Sequence, residues 1–190
     1  TRRCARAATR VLATELRDAG TSMCGGMLVQ AGAVGVAPYR ARTYATITDE
    51  TVGALPITVL VEAGLQTAAP GARVLTRRIP PGESQKTRAQ WGALSDWLLA
   101  EGAGRDTTVI ALGGGVVGDL AGFVAATYLR GVPVVQLPTT LVSMVDAAIG
   151  GKTGVDRDDG KNLIGAFHRP TLVFIDPTVL ATLPSDPVTH

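Results

Sequence analysis

Apolar positions along this chain follow two periods, and the changes from one to the other predict its elements. Short apolar or β-branched runs recur at TYATITDE (43–50), RVLTRRI (73–79), TTVIAL (107–112), VPVVQL (132–137) and TLVFID (171–176). Runs of this length, rich in Val, Ile, Thr and Leu, read as strands. Between them the apolar residues return every three or four positions. In ESQKTRAQWGALSDWLLAEG, Trp91, Leu94, Leu98 and Leu99 share a helical face and Gly102 supplies a stop. GDLAGFVAATYLRG reads as a helix, TTLVSMVDAA as a Thr-capped helix, and residues 5–19 as a helix of mixed charge. Residues 51–71 hold two prolines among Ala and Gly and show no clear period. Residues 148–168, which include IGGKTGVDRDDGKNLIGAFH, are dense in glycine and charge and predict a loop or irregular excursion. Strands alternating with helices predict an α/β protein whose mostly parallel sheet is covered by helices on both faces.

Composition narrows this picture. The chain has 190 residues, 46% of them hydrophobic, enough for a real core. A net charge of +2 argues against nucleic acid or an anionic membrane as the main partner. No apolar run approaches the ~20 residues of a membrane span, and no signal-peptide core is visible. Cys4 and Cys24 form neither a metal-ligand spacing nor a disulfide framework, which fits a reduced, cytoplasmic setting. The Arg-rich start, TRRCARAATR, reads as an amphipathic helix before it reads as a transit peptide.

Two stretches carry chemistry. In VIALGGGVVGD, Gly113, Gly115 and Gly118 satisfy G-x-G-x-x-G between a strand and a helix, a turn that aims free N–H groups and a helix dipole at an anion. The dinucleotide fingerprint also wants an acid about 20 residues further on. That place falls in VPVVQLPTT, which has none, while Asp49 at the end of an earlier strand can do the same work from another direction. A tight strand-to-helix turn with close packing is the alternative. In GGKTGVDRDDGKN, Lys152 and Lys161 are compact cations on a glycine-punctuated segment, with Asn162 beside the second and Asp146 upstream. They suit phosphate or carboxylate, though a solvated surface loop has the same composition.

GGGVVGDLAGFVAATYLRG, QLPTTLVSMVDAAIGGKTGVD and GKNLIGAFHRP together resemble the central motifs of 3-dehydroquinate synthase. TDETV, PPGESQKT and VFIDPTVLATLP fit the same pattern, so the resemblance runs from about residue 41 to 184. It implies a Rossmann-like NAD-binding domain over 41–184, a poorly matched segment over 1–40, and at 185–190 the start of a helical metal-binding domain that the chain lacks. NAD-binding positions carry over to Asp49, Glu83, Lys86, Gly115, Val116, Val117, Gly118, Asp119, Thr139, Thr140, Lys161, Val179 and Thr182. Substrate-contacting positions carry over to Arg130, Asp146, Lys152 and Asn162, with Lys152 also near the cofactor. The family's substrate is 3-deoxy-arabino-heptulosonate 7-phosphate. It is oxidised transiently by NAD, loses phosphate, is reduced, and recloses by an aldol step to 3-dehydroquinate in the shikimate pathway. The resemblance also implies that the substrate's own phosphate does much of the proton transfer, and that the enzyme is a homodimer.

The family's divalent metal, zinc or cobalt, is held by a Glu and two His that this chain does not supply. His168 precedes Arg169 and Pro170, and His190 is the last residue, so neither makes a zinc site by spacing. The chain is therefore expected to be the N-terminal portion of such a lyase, binding NAD weakly or not at all by itself and inactive alone. GVD at 154–156 stands where the family usually has GVN. Other sugar-phosphate cyclases, a metal-dependent alcohol or glycerol dehydrogenase, and a non-catalytic nucleotide-binding module are the alternatives.

Overall fold

The computed structural model describes residues 23–24, 27–31 and 41–183. The expected helix over 5–19, Cys4, most of the segment 1–40, residues 185–190 and His190 lie outside them. Among the described residues there are nine strands: β1 (Met23–Cys24), β2 (Met27–Ala31), β3 (Thr43–Asp49), β4 (Arg73–Ile79), β5 (Thr107–Gly113), β6 (Val134–Pro138), β7 (Lys152–Arg157), β8 (Gly160–Phe167) and β9 (Leu172–Ile175). Seven of them form one sheet in the order β1-β2-β9-β6-β5-β3-β4. The pairings from β9 to β4 are parallel, and β1 and β2 join antiparallel at one end. The helices are α1 (Glu50–Gly53), α2 (Pro56–Ala68), α3 (Arg88–Ala100) and α4 (Gly115–Thr127).

Strand β5 shows why both faces are covered. Every one of its residues is buried, so neither face can meet water. Val109 and Ala111 pack with Leu94 and Leu98 of α3 and with Val117, Leu120 and Val124 of α4. Ile110 and Leu112 point the other way, into a cluster with Val61 and Leu65 of α2 and with Leu137 and Phe174. The continuous apolar run in the sequence is the signature of a strand buried on both sides. The segment 51–71, which lacks a readable period, folds as α1 and α2, with Pro56 at the first turn where its missing N–H does no harm.

The expected loop over 148–168 is instead mostly the antiparallel hairpin β7–β8. Its glycines serve the pairing. Gly154 faces Gly165, and a Cβ there would lie 2.7 Å from the Ile164 carbonyl oxygen. On Gly165 a Cβ would lie 2.1 Å from the Thr153 carbonyl oxygen. Arg157 pairs with Gly160, leaving Asp158 and Asp159 as the turn. The expected Thr-capped helix over 139–148 is also altered. It widens into a turn of π-helix over Ser143–Ala147, a form that often marks functional sites.

Candidate functional site

Because β3, β5, β6 and β9 run parallel, their C-terminal ends share one edge of the sheet. Ligands in open α/β sheets bind at such an edge. Asp49 closes β3 there and caps α1, its Oδ1 accepting the Val52 N–H at 2.9 Å. Thr139 follows β6 and donates its N–H to the Gly113 carbonyl at 2.9 Å. Thr140 stands against Gly114 and accepts the Ser143 N–H at 3.3 Å. Val179 and Thr182 lie in the 3-10 turn Pro177–Thr182 that follows β9.

The glycine turn sits in the middle of this edge, and its glycines differ in kind. None has a left-handed φ, so conformational freedom is not the reason for them. A Cβ on Gly113 would lie 2.7 Å from Val117, one on Gly118 would lie 3.1 Å from Gln136 Oε1, and one on Gly122 would lie 2.5 Å from Thr153 Cγ2. These three let β5, β6 and β7 approach α4 closely. A Cβ on Gly115 would meet only Ala147, at an ordinary 3.7 Å. Gly114 at the N-cap offers no side chain to close the helix end. The N–H groups of Gly115, Val116 and Val117 accordingly find no acceptor among the described residues, while that of Gly118 returns to Gly114. The result is an open helix N-terminus suited to an anion.

Beside it lies a cleft of about 550 Å³ lined by Asp119, Asp146, Lys152, Asn162 and the aliphatic and aromatic faces of Leu163, Ala166 and Phe167. Lys152 makes no ion pair among the described residues and is exposed, leaving its ammonium available to a ligand. Lys86 is the opposite case. It is buried, and its Nζ donates to Asp119 Oδ2 and to Asn162 Oδ1, each at 2.5 Å. Burial raises the Asp119 pKa above the ordinary carboxylate value, and the hydrogen bond and charge of Lys86 only partly offset this. Lys161 reaches Glu83 at 3.3 Å, but both are well exposed, so that pair contributes little.

Thus Asp119, Asp146, Lys152 and Asn162 come together on the cleft, and Lys86, bonded to Asp119 and Asn162, lines a second cleft with Glu83 and Lys161. Arg130 does not join them. It follows α4, whose 13 residues span about 20 Å, so it lies at the far end of that helix from Gly115. Arg130 is exposed and has a left-handed φ of 71°, as does its neighbour Leu129 at 49°. Sequence reasoning missed Gln136, whose Nε2 donates to the Gly118 carbonyl at 3.1 Å and ties the sheet to α4. It gave Asp156 no role beyond a departure from the family pattern, although D-D-G at 158–160 is a hairpin signal that would have placed it on a strand. Among the described residues no three His, Cys, Asp or Glu come together to hold a metal ion. No helix among them is long and apolar enough to cross a membrane.

The family profile described as 3-dehydroquinate synthase N-terminal matches residues 76–190. The pentafunctional AROM polypeptide of Candida tropicalis is 52% identical over 147 residues, covering 75% of this chain and 10% of that polypeptide. Among solved structures, 2-deoxy-scyllo-inosose synthase complexed with carbaglucose-6-phosphate, NAD+ and Co2+ is 31% identical, covers 76% of this chain and 39% of its own, and superposes with a TM-score of 0.66. The 2-epi-5-epi-valiolone synthase of Streptomyces hygroscopicus subsp. jinggangensis 5008, with NAD+ and Zn2+ bound, is 36% identical with a TM-score of 0.63, over 75% of this chain and 39% of its own. The chain thus spans about a tenth of the curated relative it matches and about two fifths of these structures.

Proposed function

Because the chain belongs to the 3-dehydroquinate synthase N-terminal family, we propose that it is the cofactor-holding part of a lyase converting 3-deoxy-arabino-heptulosonate 7-phosphate to 3-dehydroquinate and phosphate. The observation that carries the reading is Gly115. Neither its φ nor its packing calls for glycine, so the bare backbone there suits a ligand approaching the start of α4. The NAD pyrophosphate is that ligand on this reading, with Asp49, Thr139, Thr140, Val179 and Thr182 spread along the sheet edge for the remainder of the cofactor. NAD, when bound, supplies reversible hydride transfer, and the protein supplies orientation and electrostatics.

The cleft residues suit the substrate. Lys152 offers a free ammonium to a phosphate or carboxylate, and Asp146, Asp119 and the Asn162 amide offer partners to sugar hydroxyls. None of them is arranged as a proton relay, which accords with a reaction in which the substrate's own phosphate takes the proton. The same reading carries a homodimeric, cytoplasmic enzyme whose divalent metal is held by residues other than those described, on the strength of family membership. The test is turnover in the complete catalytic polypeptide. Phosphate release with no net absorbance at the NADH band supports the reading, whereas steady NADH accumulation refutes it.

A further inference from the structure

Gln136 is a polar side chain at a place where the sheet calls for an apolar one. It sits in the middle of β6, between Ala111 of β5 and Val173 of β9, and is only 5% exposed. Strand alternation gives it the face of Val134, which belongs to the core cluster of Ala111, Leu120 and Val124. An amide buried there costs stability unless a hydrogen bond offsets it.

That bond goes to α4. Nε2 of Gln136 donates to the Gly118 carbonyl at 3.1 Å. The amide rests on two glycines one helical turn apart: a Cβ on Gly118 would lie 3.1 Å from its Oε1, and one on Gly122 would lie 3.6 Å from its Nε2. By α-helix geometry the Gly118 carbonyl already takes the Gly122 N–H, so α4 does not need Gln136 to satisfy that oxygen. What the bond adds is a fixed point between the sheet and the first turn of α4. That turn carries the free N–H groups of Gly115, Val116 and Val117 and leads into Asp119 on the cleft. One buried polar side chain can set the register of packed elements at a cost in stability.

We infer that Gln136 is a positioning residue, whose amide sets the place of the first turn of α4 on the sheet and, through it, the affinity for an anionic ligand at that turn. This deepens the proposed function and rests on it for NAD being the ligand.

The test is Gln136→Met, which is close in volume and has no amide. In the ligand-free 190-residue chain, amide hydrogen exchange at Gly118 and Asp119 is expected to quicken about tenfold, with the β5 amides as protected as before. The urea midpoint is expected to stay level or rise, because a buried amide leaves the core and the Gly118 carbonyl keeps its helical partner. In the complete catalytic polypeptide, the NAD concentration for half-maximal phosphate release is expected to rise about tenfold or more, and the rate at saturating NAD to fall far less. A side chain that merely fills space would leave both the exchange and the NAD dependence where they are. Unchanged Gly118 and Asp119 exchange, or an unchanged NAD requirement in an enzyme that turns over, would overturn the inference. So would a variant that unfolds or loses β5 protection together with Gly118, since Gln136 would then be a general packing residue. Wild type that releases no phosphate at any NAD concentration removes the proposed function instead, and the exchange data still decide whether Gln136 positions α4.

Discussion

Replacing Gly115 with alanine separates a glycine kept for a ligand from glycines kept for packing. The new Cβ would meet only Ala147 at 3.7 Å, so the folded state gains no clash. Alanine is also the better helix former, by up to about 1 kcal/mol in a helix interior and less at this first position. Gly115→Ala is therefore expected to unfold in urea at the same or a slightly higher midpoint. Gly113→Ala is the control. Its Cβ would lie 2.7 Å from Val117, an overpacking expected to cost about 1–3 kcal/mol. Binding should show the reverse order for Gly115. A methyl group between the pyrophosphate and the free N–H groups of α4 would remove one or more charge-assisted hydrogen bonds, each worth about 1.5–3 kcal/mol, or roughly ten- to a hundredfold in affinity. The assay is an NMR titration of the chain with millimolar NAD, suited to weak binding, following the amides of Gly114 to Asp119. Equal, non-zero shifts in wild type and Gly115→Ala would refute the reasoning.

Gly165→Ala is expected to damage the hairpin without reaching the main core, because its Cβ would sit 2.1 Å from the Thr153 carbonyl and no side-chain rotation relieves a backbone clash. Loss of exchange protection across β7–β8, with the β5 amides still protected, is the expected signature. Asp119 predicts a pH dependence. Its folded pKa is raised by burial, so the stability it contributes is fully present below the ordinary value of 3.8 and is lost as pH rises through the raised value. Urea unfolding from about pH 3 to about pH 7 should show wild type losing stability relative to Asp119→Asn across that window, and a constant difference would contradict it.

The order of elements is written in local pattern. Apolar runs near residues 43, 107, 132 and 171 and helical spacing from Trp91 to Leu98 mark strands and helices, because one-dimensional periodicity reports which faces are buried. The glycine turn and the anion-suited lysines are legible for a similar reason, since their chemistry sits in consecutive residues. What the chain alone leaves open is which glycines do what. Gly113, Gly115 and Gly118 look alike in sequence, and only the presence of Val117, Gln136 or empty space beside each Cα tells them apart. The hairpin was hidden by the same residue type, because Gly154 and Gly165 read as loop until their mutual pairing explains them. Lys86, Asp119, Asp156 and Asn162 are spread over 77 positions, counted from 86 to 162, and no periodicity links them. Their hydrogen-bonded cluster exists because the β7–β8 hairpin and the N-terminal half of α4 converge on one buried ammonium, a meeting that only the folded chain can arrange.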